Sequence, residues 1–597
     1  MAYRTNRALT IKVLIIVTAI IFCLRLFYMQ VLTDDFYDMA QNNVIRRQSM
    51  VPDRGVIYDR NGKILVWNRP FYDLQVIPNE VRDIDTLSMC KWLKIDRQEF
   101  ISRIERAKSY SRFKPSVFYQ NISVERFAAL QEHLFEYKGF QVVMKSSRYY
   151  PYGVAAHVLR DVAQTESRGF PKSDRFYEKG DRLGISGIEK AYESYLRGEK
   201  GIKNMVADVH NRPQGSFANG KYDREPVYGM ELSSTLDIDL QEFGEKLMGK
   251  RKGSIVAIEP NSGEILAFVS SPTFDPNDLI GDKRAEGFKK LLNDPDKPLF
   301  VRPIQAQYPP GSVFKVVSAL IAQEMGEITG STVLNCPGGY RYGRNGYMGC
   351  THVHGPINLS QSIQTSCNTY YGHIYSAILE GGDVLPSQQY DIWRDKVMKF
   401  GIGRRIGIDI PGEKPGLLPP SQYYSKRFGN EKWMSGYNIS LSIGQGEMGI
   451  TALQMANIMA IVANRGYYYT PHLVKMMDNS VLEFSRHSVE IKDRFFEPVI
   501  QGMSMAVNQP GGTAYSVRIS GTEMCGKTGT AQNPHGENHA VFFGFAPRKD
   551  PKIAIAVFVE NAGYGSTWAA PIGSMMIEKF LHGKVTIPDH IYQRIIN

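Results

Sequence analysis

Apolar residues are distributed along the chain in three textures. The first is one dense run: residues 8–32 are apolar apart from Thr10, Lys12, Thr18, Arg25 and Gln30. Its charge-free core, 13–24, falls short of the roughly 20 residues a membrane-spanning helix needs, but a span over 13–32 reaches that length with Arg25 inside it. The run exits through Leu26-Phe27-Tyr28-Met29 with no small-residue cleavage site, so it reads as a retained anchor over 9–32. Arg4, Arg7 and Lys12 lie before or early in the run, and the positive-inside rule then keeps residues 1–8 in the cytoplasm and sends the bulk of the chain across the inner membrane. Arg25 suits snorkelling to the outer interface.

The second texture, over 33–230, is mixed. Arg54-Gly55-Val56-Ile57-Tyr58-Asp59-Arg60-Asn61-Gly62 reads as a strand ending in a turn at Asn61-Gly62. Polar helices are predicted near 97–107 and 124–137, with a further helical stretch from Gly187 to about Arg197. No cluster of nucleophiles or metal ligands occurs here, so the region reads as structural or docking. The third texture begins near Leu232. Residues 254–259, the turn Pro260-Asn261-Ser262-Gly263 and residues 265–270 predict a hairpin, and 540–546 with 553–559 predict a second. Helical stretches lie between them at 313–324, 369–379 and 450–464. Strands at both ends with helices between predict an α+β domain on an antiparallel sheet over 231–590.

Composition narrows the classes. With 43% apolar and 22% charged residues in 597, the chain is globular rather than disordered. Lys and Arg number 71 against 60 Asp and Glu, a net +11 without a basic block. That pattern argues against nucleic-acid binding and suits a protein near an anionic membrane or polymer. Six cysteines cannot build a disulfide scaffold of this size.

The candidate chemistry starts at Tyr308-Pro309-Pro310-Gly311-Ser312-Val313-Phe314-Lys315. Lys315 is the only charge over 313–322, and the surrounding helix is apolar on nearly every face. A buried ammonium needs a partner or a depressed pKa. Ser312 and Lys315, at i and i+3, read as a nucleophile and its base. Two further elements follow in order, Ser366-Cys367-Asn368 and Lys527-Thr528-Gly529-Thr530. The trio of S-x-x-K, S-x-N and K-T-G is the pattern of penicillin-binding proteins and class A β-lactamases. On physical grounds Ser366 and Asn368 would relay the proton and hold a substrate amide. Gly529 would let a peptide backbone approach the strand, and Lys527, Thr528 and Thr530 would meet a terminal carboxylate. The backbone N–H groups of Ser312 and Thr530 are the natural oxyanion donors. Ideal alternation puts Lys527 and Thr528 on opposite faces, so a joint role calls for an edge or twisted strand.

Beyond the trio, the segment 54–62, Gly187 to Gly201, Gly444-Gln445-Gly446-Glu447 and Gly511-Gly512-Thr513-Ala514 resemble class B penicillin-binding proteins over essentially the whole chain. The Tyr308-Pro309-Pro310-Gly311 segment is most similar to the elongation-specific D,D-transpeptidases of that class. The middle motif has Cys367 where the common form has Asp. The resemblance implies a transmembrane helix, a mixed α/β pedestal of the dimerisation type over 33–230, and a serine β-lactamase-like head. It implies cross-linking of peptidoglycan stem peptides ending in D-Ala-D-Ala through an acyl-serine, β-lactam inhibition, and no organic cofactor. Its implied partners are a membrane glycan polymerase of the shape, elongation, division and sporulation family and other elongation-complex proteins. A hydrolytic carboxypeptidase or β-lactamase shares the three motifs; the anchor and long pedestal favour transpeptidation.

Cys336, Cys350 and Cys367 bracket His352 and His354. With His354, the spacing C-x13-C-x3-H-x12-C supplies four ligands for tetrahedral zinc. A Cys336–Cys350 disulfide is the alternative, and His352 could replace His354. Some relatives in the resembling family carry a metal here, which favours structural zinc.

Overall fold

The computed structural model describes residues 2–29, 45–82, 84–122, 124–164, 176–178, 181–207, 213–280 and 284–597. The chain forms two compact units. One joins Met1–Arg54 to Arg197–Gly229, the other Gly55–Leu196 to Met230–Asn597.

In the first unit a helix runs over Ala2–Phe27, and its apolar stretch Leu9–Phe27 has a mean hydropathy of 2.4 with none of it buried. Such a surface needs a non-aqueous surrounding. The Arg25 guanidinium lies 5.7 Å from the Tyr28 ring centre. The last residues of the expected anchor, 30–32, lie outside the described residues. The same unit holds a three-stranded antiparallel sheet with Gly201–Ala207 between Ile45–Met50 and Pro213–Ser216.

The second unit is built on a five-stranded antiparallel sheet in the order Ile265–Ser271, Gly253–Ile258, Ile553–Val559, His539–Ala546, Cys525–Ala531. Its central strands are continuous apolar runs because both faces are covered. Ile553, Ile555 and Val557 share one core with the helices Ile238–Met248 and Ala569–His582. Ala554, Ala556 and Phe558 share the other with Lys315–Glu324 and Ala452–Ala463. The two expected hairpins are the outer and inner pairs of this sheet, and Gly263 turns the first with a φ of +82° that a side chain would resist. The helices expected at 313–324, 369–379 and 450–464 form as Lys315–Glu324, Asn368–Glu380 and Ala452–Ala463.

A second sheet was not anticipated from the sequence. Leu232–Ser234 pairs on one edge with Val474–Met477 and on the other with Ile57–Tyr58, which continues through Ile64–Val76 to Ser116–Ile122 and Phe140–Tyr149. The sequence from Ser234 reads as a strand leading into a helix, but nothing local names its partners, which lie up to about 245 positions away along the chain. Asp59 holds the turn expected at Asn61-Gly62 by accepting from the N–H of Asn61 at 2.8 Å and of Lys63 at 2.7 Å. Tyr192 donates at 2.8 Å to the buried Asp409 carboxylate, which also accepts from the N–H groups of Leu473 and Val474. Burial pushes Asp409 up to about 6.

Candidate active site

Ser312 sits in a single 3-10 turn, Gly311–Phe314, that feeds the buried helix Lys315–Glu324. Gly311 has a φ of +60°, and a Cβ there would lie 2.9 Å from the Thr530 carbonyl oxygen. Only glycine lets the turn approach the Cys525–Ala531 strand so closely. From the other side the Gly311 N–H donates to the Gly444 carbonyl at 2.8 Å. The nucleophile candidate is therefore wedged between two chain segments before any side chain is considered.

Lys315 is wholly buried. Its ammonium donates to the Ser366 carbonyl at 2.7 Å, to Asn368 Oδ1 at 2.6 Å and to Ser366 Oγ at 3.2 Å. Its hydrogen bonds thus join it to the middle motif rather than to the Ser312 hydroxyl. Burial pushes Lys315 down to about 7, against the opposing pull of the Cys367 and Cys350 thiols. Ser366 adopts a φ of +58°, a left-handed conformation rare outside glycine, which turns its hydroxyl and carbonyl onto the same ammonium. Asn368 spends its amide N–H on the Gly349 carbonyl at 2.6 Å.

The Cys525–Ala531 strand is the edge of the five-stranded sheet. Alternation holds along it. Gly529 faces Val313 and Pro310 of the nucleophile's turn, whereas Thr528 faces away and its hydroxyl donates to Thr513 Oγ1 at 2.9 Å. Lys527 is wholly buried, donates to the Thr528 carbonyl at 2.8 Å, and is held well below the ordinary lysine range by burial and by Lys315. Thr530 stays half-buried, and its carbonyl accepts from Gln445 Nε2 at 3.2 Å.

Gln445, Gly444 and Thr513 received no role from sequence reasoning, although all three stand in segments singled out there. A glutamine flanked by two glycines is a legible signal of a polar side chain delivered by a tight turn. Gly444 and Gly446 have φ of +70° and +80°. Nothing local in the sequence says what the glutamine would reach.

Cys336, Cys350, His354 and Cys367 converge so that their four ligand atoms all lie within 4.8 Å of one another. The Cys336 and Cys350 sulfurs are 3.6 Å apart, those of Cys350 and Cys367 3.9 Å, and Cys336 lies 3.3 Å from His354 Nδ1. All four cysteines in this region and its strand, Cys525 included, are free thiols. His352 is exposed and outside the cluster. Cys367 caps the helix Asn368–Glu380, its sulfur accepting from the Tyr370 N–H at 3.5 Å. Hydrogen bonds from Cys367 and Thr369 push Cys350 down to about 4.

Comparison with known proteins gives this geometry a family. Residues 253–578 match the family model of the penicillin-binding protein transpeptidase domain, and residues 49–233 that of the penicillin-binding protein dimerisation domain. The chain belongs to the class B penicillin-binding proteins. The peptidoglycan D,D-transpeptidase MrdA of Acinetobacter baumannii is 30% identical over 93% of this chain and 84% of its own. Among solved structures, the complex between penicillin-binding protein PBP2 and MreC from Helicobacter pylori matches with a TM-score of 0.74 at 25% identity, covering 92% of this chain and 99% of that one. A structure described as the structural coordination of polymerization and crosslinking by a peptidoglycan synthase complex also gives 0.74 at 25% identity, covering 98% and 99%. This penicillin-binding protein is a serine-type peptidoglycan D,D-transpeptidase of the PBP2 kind, with one N-terminal apolar helix of the single-pass anchor type.

Proposed function

We propose that the protein cross-links stem peptides during cell elongation, with Ser312 as its nucleophile. The observation that carries this reading is the buried Lys315 ammonium, pushed down to about 7 beside Ser366 and Asn368. An amine poised there accepts a proton near neutral pH. Ser312 Oγ attacks the carbonyl between the two terminal D-alanines while Lys315, directly or through Ser366 Oγ, takes its proton. The backbone N–H groups of Ser312 and Thr530 receive the oxyanion. Collapse breaks the C–N bond, the departing D-alanine amine takes up the proton, and an acyl-serine remains. An acceptor amine then attacks the ester, loses its proton to the same base and releases Ser312. Asn368 holds the donor's amide. Thr528 and Thr530, on one face of the edge strand, meet its terminal carboxylate, and Lys527, buried on the opposite face, contributes its charge through the strand.

The four-residue cluster fits structural zinc. Three thiols and one imidazole are a tetrahedral donor set, and Zn–S bonds of about 2.3 Å put sulfurs roughly 3.8 Å apart, close to the 3.6 and 3.9 Å found. Cys336, Cys350, His354 Nδ1 and Cys367 would hold the ion. It would supply no chemistry to acyl transfer, only a fixed backbone around Ser366 and Asn368.

Likeness to a PBP2–MreC complex and to a synthase that couples polymerization to cross-linking supports a partner of the MreC kind, a membrane glycan polymerase and an inner-membrane location with residues 1–8 in the cytoplasm. The catalytic test is Ser312→Ala. Covalent labelling by a fluorescent penicillin should vanish from the folded full chain, and undiminished labelling would sink the assignment. Depletion in cells should give rounding. Normal rods would assign the enzyme to a different wall-building programme.

A further inference from the structure

No aspartate or glutamate occurs between Glu327 and Glu380, in a chain with 60 acidic residues among 597. The only lysines or arginines in that gap are Arg341 and Arg344. Both stand on one hairpin, Gly339–Tyr342 paired with Gly346–Gly349, which separates Cys336 from Cys350. Side chains alternate faces along it. Tyr340 and Met348, paired across the hairpin, face the helix Asn368–Glu380. Tyr340 Oη donates to Ser376 Oγ at 2.9 Å, and a Cβ added at Gly372 would meet both side chains. Arg341 and Tyr347, the next pair, face outward and are exposed, with the guanidinium 5.8 Å from the ring centre. Arg344 is exposed at the turn, and among the described residues neither arginine has an ion-pair partner.

The base of this hairpin touches the middle motif, because Gly349 accepts the Asn368 amide. At about 3.3 Å per residue, Tyr347 and the Arg341 paired with it lie roughly 7 Å along the strand from that contact, the strand end at Gly346 roughly 10 Å, and Arg344 stands in the turn beyond. An extended five-residue peptide spans about 17 Å. A donor peptide whose D-alanine end meets Ser312 therefore has the length to follow the hairpin.

We propose that the outward face of this hairpin is a subsite for a carboxylate of the donor stem peptide set back from its D-Ala-D-Ala end. Arg341 and Arg344 take the carboxylate, for which a guanidinium fork is the matching donor. Tyr347 supplies a flat surface beside it. The absence of acidic side chains through this stretch keeps the approach positive. The proposal rests on the assignment of Asn368 to the donor's amide.

The test uses the full-length protein carrying Arg341→Glu and Arg344→Glu together, assayed with two soluble donor pentapeptides. One has a free side carboxylate, and the other has the same group as its amide. The acid peptide should show about a tenfold rise in KM with kcat little changed, and the preference for acid over amide should disappear. Fluorescent penicillin, which has no stem peptide, should label the variant at the normal rate. Arg341→Gln with Arg344→Gln should move KM the same way by less. An unchanged KM for the acid peptide, or equal losses on acid and amide peptides, overturns the subsite. So does a parallel fall in penicillin labelling, which would make the hairpin a prop for Asn368. Failure of the catalytic assignment shows separately, as labelling that survives Ser312→Ala.

Discussion

On one side of Lys315 stands the Cys525–Ala531 strand, and on the other the turn carrying Ser366 and Asn368. The strand belongs to a five-stranded sheet with apolar cores on both faces, in which six of its own seven residues are buried. Its position follows from close packing, which tolerates little displacement. The opposite side shares one of these cores, with Cys336, Ile363, Cys367 and Tyr371 buried in it, but its strands are far shorter. Its sheets are two-stranded, Leu334–Cys336 with Gly355–Ile357 and Gly339–Tyr342 with Gly346–Gly349. Pairs this short do not hold themselves in water. The cluster of Cys336, Cys350, His354 and Cys367 joins the ends of both pairs and reaches into the motif itself at Cys367; the proposed zinc would tie them together there. With the proposed zinc bound, a site that needs fixed geometry on both sides would add a staple where its strands are shortest.

Lys315 reports on both sides at once, and pH is the strongest lever on it. Its folded pKa is lowered to about 7, so the neutral base predominates above that value and is lost as pH falls. Acylation by a fluorescent penicillin should be flat from about pH 8 upward and drop about tenfold per unit below 7, roughly a hundredfold by pH 5. A rate constant that stays level down to pH 5 would place proton acceptance on another group.

Loss of the proposed zinc should act first on the middle-motif side. Stripping metal with a strong chelator, or replacing Cys336 by Ser, frees the two-stranded pairs and lets Ser366 and Asn368 drift. Misplacement of about an ångström costs of the order of ten- to a hundredfold in rate, and acylation should fall about tenfold. The cooperative thermal unfolding should shift downward too, because Cys336 and Cys367 are buried in the same core as Ala531, Val541 and Phe543. Zinc return should restore the chelated protein. Metal-stripped protein that acylates normally would leave the short pairs self-sufficient and end the contrast.

The two sides also differed in how openly the sequence spoke. Long apolar runs such as 553–559 and 540–546 declared strands because burial on both faces forces every residue to be apolar. Ser312 and Lys315 as candidates, and the convergence of Cys336, Cys350, His354 and Cys367, were legible because a lone charge in an apolar helix and cysteines spaced around a histidine are chemically conspicuous. The faces of Lys527 and Thr528 followed from alternation alone. Pairings that rest on a few residues were silent: Leu232–Ser234 with Val474–Met477, and Tyr192 with Asp409. A three-residue strand or a single hydrogen bond leaves no period to read. Lys315 bonding to Ser366 and Asn368 rather than Ser312 depends on a left-handed Ser366, which no serine announces.

The smallest expected effect tests how far the strand side relies on packing. Gln445 is 8% exposed and spends its amide on the Thr530 carbonyl, while its neighbour Gly444 accepts from Gly311. One short turn therefore touches the residues that carry, or directly precede, both proposed oxyanion donors. Removing a single hydrogen bond of this kind costs about 1 kcal/mol, or roughly fivefold in rate if all of it is felt in the transition state. Gln445→Ala should accordingly slow acylation about fivefold without altering the reversible binding of the β-lactam that precedes it. Gln445→Glu should be slower still, because a carboxylate cannot donate to the Thr530 carbonyl and repels it instead. Stopped-flow labelling separates the two steps. Equal acylation constants for the wild type and Gln445→Ala would mean that sheet register alone fixes Thr530, so that the strand side needs no polar brace at all.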